Sequence, residues 1–101
     1  MGRTEMNLCA LCAEKKIFRE AVHTHHLISG NGRRQKADEF GLTIPLCYAC
    51  HEKIHDNPDL LIASKYVGQL MYERDRIAEG QTKEQARSSF IKEFGKSYLW
   101  D

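Results

Sequence analysis

The sequence predicts a small α+β fold, in which a core with two short strands is followed by two C-terminal helices. Three observations support this class. The chain has 101 residues, the length of one domain. Every cysteine and histidine lies before residue 58, among short β-branched segments, whereas residues 58–101 lack both residue types and show helical periodicity. We therefore expect a single domain over residues 1–101, with a core at about 7–57 and a helical extension at about 58–99.

The composition excludes several classes of protein. The chain has 15 Lys+Arg and 14 Asp+Glu, a net charge of +1, which argues against a strongly basic nucleic-acid coat and an acidic tail. The longest aliphatic run, residues 60–63, is far shorter than the roughly 20 residues that span a bilayer. The N-terminus lacks the apolar segment of a signal peptide. We therefore expect a cytoplasmic protein with no membrane partner, whose cysteines are reduced metal ligands rather than disulfides.

The core is predicted to hold two strands joined by a turn and a loop. Residues 20–27 and residues 42–44 contain β-branched side chains and predict the strands. Pro45 would end the second strand or hold it at a sheet edge, because proline cannot donate a ladder hydrogen bond. Between the strands, residues 29–32 predict a turn, and the basic residues 33–36 predict an exposed polar loop.

The C-terminal part begins with a long predicted helix. Asn57 is a good N-cap, and Pro58 suits the first helical position. Gly80 would end the helix, and Gly68 is a weak point inside it, since glycine costs about 1 kcal/mol relative to alanine there. The apolar stripe predicted to face the core consists of Leu60, Ala63, Val67, Leu70, Met71 and Ile77, with Tyr66 beside it.

A second helix is predicted to follow. Thr82 and Gln85 match a capping box, and Gly95 would stop the helix. We interpret both C-terminal helices as packing elements that enlarge the core, with a partner-binding or dimerising face as the alternative. The predicted apolar face of the last helix consists of Ala86, Phe90, Ile91 and Phe94.

The four cysteines form two pairs with metal-ligand spacing, Cys9 with Cys12 and Cys47 with Cys50. A two-residue gap lets both thiolates of a pair reach one ion from a tight turn. Two such pairs complete the closed tetrahedral site that structural Zn²⁺ prefers. The sequence therefore predicts a structural zinc, which contributes folding free energy directly. Redox chemistry at one pair is the alternative, although it would require a thioredoxin-like context.

The five histidines form two clusters. His51 and His55 are four residues apart, so a helix would place both imidazoles on one face, as in zinc-binding helices. His23 and His25 would share one face of a strand, while His26 would point to the other. Adjacent histidines can therefore divide two tasks, metal binding and proton transfer. The alternative is a chance surface grouping beside the zinc site, and His23 taken alone is expected to be non-essential.

In their order along the chain, these motifs resemble the HNH endonucleases, the ββα-metal nuclease family. The resemblance covers residues 9–55, just under half of the chain, and the combination is more specific than either cysteine pair alone. The small size and the helical tail are also similar to compact phage and prophage HNH proteins. The matching residues are Cys9, Cys12, His25-His26-Leu27-Ile28, Leu46-Cys47 and Cys50-His51-x3-His55.

The resemblance implies a β-hairpin followed by a helix, with a catalytic divalent ion (Mg²⁺, Mn²⁺, Ni²⁺ or Zn²⁺) between them. His25, His51 and His55 would then be ligands of that ion, and His26 would be the general base. The structural Zn²⁺ on the four cysteines would brace the hairpin and the helix. Such a site would hydrolyse DNA phosphodiester bonds, because the base activates water and the ion relieves negative charge at the leaving oxygen.

The chain departs from the family at the asparagine that orients the general base. That asparagine should lie at the start of the second strand, where residues 39–42 read Glu-Phe-Gly-Leu. The sequence offers a backbone carbonyl near Gly41 for orienting His26, with the side chains of Asn31 and Asp38 as weaker substitutes.

Positive charge near the catalytic residues is needed to bind DNA phosphates. The near-neutral net charge predicts weak, salt-sensitive binding, so a homodimer or a partner protein is expected to assist. A solvated polar loop is the alternative reading of the basic segment. The residues predicted to bind DNA are Arg33, Arg34 and Lys36, helped by Lys15, Lys16 and Arg19.

A non-catalytic zinc module that binds nucleic acid or protein is the competing function. It would explain the cysteines but not the arrangement of the histidines. If the side-chain nitrogens of His25, His51 and His55 converge to within roughly 2 Å of a common point, apart from the cysteines, the nuclease interpretation is favoured. If they diverge, the binding module is favoured.

Overall fold

The computed structural model describes residues 8–29 and 32–99 of the chain. This part contains a two-stranded antiparallel sheet and five helices, which confirms the predicted α+β class. None of these helices is long and apolar enough to cross a membrane. In chain order the elements are α1 (Ala10–Glu14), β1 (His23–His26), α2 (Arg33–Glu39), β2 (Thr43–Leu46), α3 (Tyr48–Asp56), α4 (Pro58–Ala78) and α5 (Lys83–Phe94).

Both predicted strands are present, and β1 pairs with β2 in antiparallel register, with His25 opposite Ile44. β1 is shorter than the strand predicted at residues 20–27. Pro45 lies inside β2 rather than at its end. A two-stranded sheet tolerates this proline because each strand is an edge, so of the two predicted positions the sheet edge is the observed one.

The loop predicted at residues 33–36 is wrong, because these residues begin α2, which runs to Glu39. Gly32 precedes the helix with φ 75°, a left-handed conformation that glycine adopts without strain. Ala37 is buried against the core, and the other residues of α2 are mostly good helix formers. The helix is short and has no apolar stripe, so its polar composition resembled a loop. Two residues of the turn predicted at 29–32 fall outside the described residues.

The predicted ends of the long helices are confirmed. The Asn57 side chain accepts hydrogen bonds from the backbone N–H groups of the second and third residues of α4. Gly80 follows that helix with a φ of 109°. Thr82 and Gln85 form the reciprocal capping box at the start of α5, and Gly95 ends α5 in a left-handed conformation. These features depend on local sequence, which is why the sequence alone predicts them.

α4 turns a different face to the core from the one predicted. Val67, Leu70 and Ile77 of the predicted stripe are 46%, 55% and 42% exposed. The observed face has small and polar side chains that approach the core closely. The buried residues of α4 are Ser64, Gly68, Gln69, Tyr72 and Glu73.

Gly68 is the reason for this orientation. A Cβ atom at this position would lie 2.9 Å from Cγ1 of Ile28 and 3.0 Å from Cβ of Leu27, so the α4 backbone packs directly on the segment that follows β1. The hydroxyl of Ser64, one turn earlier, donates a hydrogen bond to the Leu27 carbonyl across the same contact. The glycine predicted as a weak point is therefore a packing site.

The core consists of two apolar clusters. α5 buries three of its four predicted apolar residues, whereas Ile91 is 40% exposed. The C-terminal helices contribute to the larger cluster together with residues that adjoin the strands, so these helices do enlarge the core. The larger cluster contains Leu27, Ile28, Ala37, Leu42, Tyr72, Phe90 and Phe94, and the smaller one contains Leu46 and Ile54 with Cys9, Cys12 and Cys47.

Candidate metal centres and general base

The four cysteines come together at the junction of α1 and α3. Their sulfur atoms all lie within 4.8 Å of one another. The Sγ atom of Cys12 is 3.9 Å from that of Cys47 and 3.7 Å from that of Cys50. Tetrahedral Zn²⁺ with Zn–S bonds of about 2.3 Å requires sulfur atoms roughly 3.8 Å apart. The cluster therefore fits a structural metal ion, as its spacing predicts.

The thiols of this cluster differ in acidity. Burial raises the pKa of Cys9, but hydrogen bonds from the backbone at Cys47 and Cys12 outweigh it and lower the pKa to about 6. Burial, followed by the neighbouring thiols, raises the pKa of Cys50 to about 12. Only thiolates bind metal, so ion binding must displace protons from the more basic thiols.

The structure brings three of the five histidines together in a second cluster. His51 and His55 lie on one face of α3, with their Nε2 atoms 3.0 Å apart. The ring of His25, on β1, is centred 5.3 Å from the ring of His51 and 5.6 Å from that of His55. One nitrogen from each of the three rings lies within 4.8 Å of the others. The three rings therefore form a group that could hold a metal ion.

The protonation states in this cluster favour neutral imidazoles. Burial, followed by the positive charges that His51, His55 and His26 would carry, lowers the pKa of His25 to about 4. Burial and the neighbouring histidines also lower the pKa of His51. A neutral imidazole offers the lone pair that a metal ion needs.

His26 lies next to this cluster and contacts a different partner. Its Nε2 atom is 2.9 Å from Oδ1 of Asp38, which projects from α2. A carboxylate accepts hydrogen bonds, so Nε2 is the donor, and in a neutral ring Nδ1 would keep the lone pair. Asp38 is one of the two weaker substitutes that the sequence offers for orienting His26, and the other, Asn31, lies outside the described residues. The observed partner of Nε2 is this carboxylate rather than the favoured carbonyl near Gly41. The helix predicted as a loop therefore supplies the partner of His26.

His23 lies on the same strand face as His25, as the alternation of strand residues predicts. Its ring is centred 4.9 Å from that of His51 and 5.9 Å from that of Tyr48. The side chain is exposed at the margin of the histidine cluster.

The predicted DNA-binding residues have different surroundings. Lys36 donates a hydrogen bond of 2.7 Å to Glu93, which raises the pKa of Lys36 and connects α2 to α5. Arg34 is exposed and lies one helical turn before Asp38, on the same side of α2. Lys15 and Arg19 line an open groove of about 670 Å³ whose lining includes His25.

Sequence reasoning missed Ser64, which contacts the histidine cluster from α4. Its Oγ atom is 2.8 Å from Nε2 of His25. The one available signal is that a serine directly follows the aliphatic run Leu60-Leu61-Ile62-Ala63 inside a helix. No family model, curated protein or solved structure matches this chain.

Proposed function

We propose that the protein is a metal-dependent endonuclease of the HNH type that hydrolyses DNA phosphodiester bonds. The observation that carries the proposal is the His26–Asp38 pair beside a three-histidine cluster, separate from the cysteines. A structural zinc module requires only the four cysteines. It does not require a second cluster of histidine nitrogens with an oriented histidine beside it. Supporting features are the order of motifs and the strand-and-helix frame that carries them.

His25, His51 and His55 are the residues that would hold the catalytic ion. Three imidazoles are typical of sites with open coordination positions, where substrate oxygens or water bind. Nitrogen ligands suit Zn²⁺ or Ni²⁺ better than Mg²⁺, which prefers carboxylate oxygens. When bound, the ion stabilises negative charge on the phosphate and on the departing 3′ oxygen. The four cysteines would hold a separate structural Zn²⁺.

His26 would act as the general base through Nδ1. Asp38 accepts the proton of Nε2 in a hydrogen bond, which fixes the ring and leaves Nδ1 to take a proton from water. The carboxylate also stabilises the imidazolium that forms. General-base catalysis of this kind contributes roughly 10²–10⁴-fold to a rate.

Arg34, with Arg33 beside it, would contact DNA phosphates next to the base. Lys36 contributes less, because Glu93 already pairs with it. With few such cations and a net charge of +1, DNA affinity should be weak and salt-sensitive. A second copy or a partner protein would then add affinity. A role in phage or prophage DNA processing agrees with the resemblance.

Plasmid nicking tests the proposal directly. We expect nicking with Ni²⁺, Zn²⁺ or Mn²⁺ and none in EDTA. The His26→Ala variant should lose roughly 10²–10⁴-fold in rate while keeping its DNA affinity. Asp38→Asn should lose less, since an amide oxygen still accepts from Nε2. His23→Ala is the matched control, an exposed histidine on the same strand, and should retain cleavage.

Two outcomes would contradict the proposal. Full cleavage by the His26→Ala variant would show that His26 is not the general base. DNA or protein binding without cleavage in any of these metals would favour the non-catalytic zinc module.

A further inference from the structure

Ser64 joins α4 to the strand that carries the histidines through two short contacts. Its Oγ atom lies 2.8 Å from Nε2 of His25 and 2.8 Å from the carbonyl oxygen of Leu27. Ser64 is 7% exposed and His25 is 2% exposed, so these contacts exclude water. The close approach of α4 at Gly68 holds the serine in this position.

The single proton of the serine hydroxyl decides how these contacts are made. The Leu27 carbonyl can only accept, so the hydroxyl proton must point toward it. The Ser64 oxygen is then an acceptor toward His25, and Nε2 must be the donor. If the hydroxyl proton pointed at His25 instead, lone pairs of the Ser64 and Leu27 oxygens would face each other at 2.8 Å in a buried site. The Leu27 carbonyl would then be left with an unsatisfied polar contact, which is costly.

We infer that Ser64 is a positioning residue that fixes His25 as the Nε2–H tautomer and thereby makes Nδ1 its metal-binding nitrogen. The tautomer assignment depends only on the hydrogen bonds, whereas its consequence for metal binding rests on the proposed function. A metal-ligating histidine donates its other ring N–H to an oxygen, which orients the ring and raises the basicity of the ligating nitrogen.

The other two histidines of the cluster use the opposite nitrogen. The Nε2 atoms of His51 and His55 face each other at 3.0 Å. The donor set is therefore Nδ1 of His25 with Nε2 of His51 and His55. His25 is the ligand nearest the core. Ser64 lies outside the histidine motif and makes the contact that selects the ligating nitrogen of His25.

Nitrogen-15 NMR of the imidazole rings tests the tautomer in protein that carries zinc only at the cysteines. In the native protein at pH 7.5, Nε2 of His25 should have the shift of a protonated nitrogen and Nδ1 that of an unprotonated one. Ser64→Ala should yield a mixture of both tautomers, and Ser64→Thr, which keeps the hydroxyl, should restore the single form. Ser88→Ala replaces an exposed helical serine and is the matched control.

Calorimetric titration with Ni²⁺ tests the consequence. We expect Ser64→Ala to weaken Ni²⁺ binding at the histidine cluster by about 10–100-fold, with Thr restoring it and Ser88→Ala unchanged. A merely structural serine would affect thermal stability without changing the tautomer.

Protonation of Nδ1 in the native protein would overturn the inference even if no variant folds. An unchanged tautomer and Ni²⁺ affinity in Ser64→Ala would overturn it too. Absence of DNA cleavage alongside the expected NMR spectra would contradict the nuclease proposal and leave the tautomer assignment standing.

Discussion

Replacing Gly68 by alanine gives the sharpest test of how α4 supports the histidine strand. In an exposed helix this change would stabilise the protein by about 1 kcal/mol, because alanine is the better helix former. Here the new Cβ would meet Cγ1 of Ile28 at 2.9 Å, Cβ of Leu27 at 3.0 Å and Cδ1 of Ile28 at 3.1 Å. The Leu27 contact is with an atom fixed to the backbone, so no rotamer change relieves it.

Overpacking of this kind typically costs about 1–3 kcal/mol, and a contact with a backbone-fixed atom belongs to the upper half of that range. Subtracting the roughly 1 kcal/mol gained from helix propensity, we expect the free energy of unfolding to fall by about 1–2 kcal/mol. For a domain of this size each kcal/mol lowers the melting temperature by about 4–8 °C. Since Leu27 follows the histidines directly, we also expect the histidine cluster to shift.

Urea denaturation of Gly68→Ala measures the loss, and Ala63→Gly is the matched control. Ala63 is an exposed position in the same helix, so this reverse change reports helix propensity alone. If Gly68→Ala stabilises the protein by as much as Ala63→Gly destabilises it, the close packing of α4 on the strand is refuted.

Three further predictions concern the charged and metal-binding residues. Cys47→Ser should lower the zinc content of the purified protein and abolish cooperative thermal unfolding, because structural zinc supplies folding free energy. Metal analysis and circular dichroism measure the two effects, and a full complement of zinc in the variant would contradict the prediction. Arg34→Ala should weaken DNA binding and reduce the slope of log affinity against log salt by about 1, whereas Lys36→Ala should leave that slope unchanged, since Glu93 pairs with the lysine. The pKa of His25 is lowered to about 4 in the folded protein. As the pH falls, His25 of the unfolded chain therefore takes up a proton near pH 6.5, whereas His25 of the folded protein does so only near pH 4. Through His25 the unfolding free energy should therefore be highest above pH 6.5 and fall by at most about 3 kcal/mol toward pH 4, a loss that His25→Gln should reduce in urea denaturation.

Local signals account for what the sequence predicts correctly. The spacing of Cys47, Cys50, His51 and His55 defines ligand directions on one short helix, so it needs no knowledge of the rest of the fold. The capping box at Thr82 is equally local. The strand alternation correctly separates His25 from His26 for the same reason.

Tertiary packing accounts for what the sequence does not predict. The apolar stripe of α4 satisfies helical periodicity, yet Gly68 lets another face approach the core more closely. Asp38 could be assigned as the partner of His26 only once α2 was known to be a helix. Ser64 contacts His25, which lies 39 residues earlier in the chain, and the residues adjacent to Ser64 do not indicate that contact.

α3 couples the cysteine cluster to the histidine cluster. Cys47 caps this helix and Cys50 lies in its first turn, whereas His51 and His55 project from its next turns toward β1. The cysteine cluster attaches the start of the helix to α1, and this attachment sets the position from which the histidines reach His25. We therefore expect a metal bound at the cysteines to order the histidine cluster without contacting it. Loss of that metal should weaken Ni²⁺ binding at the histidines even where helix α3 itself persists.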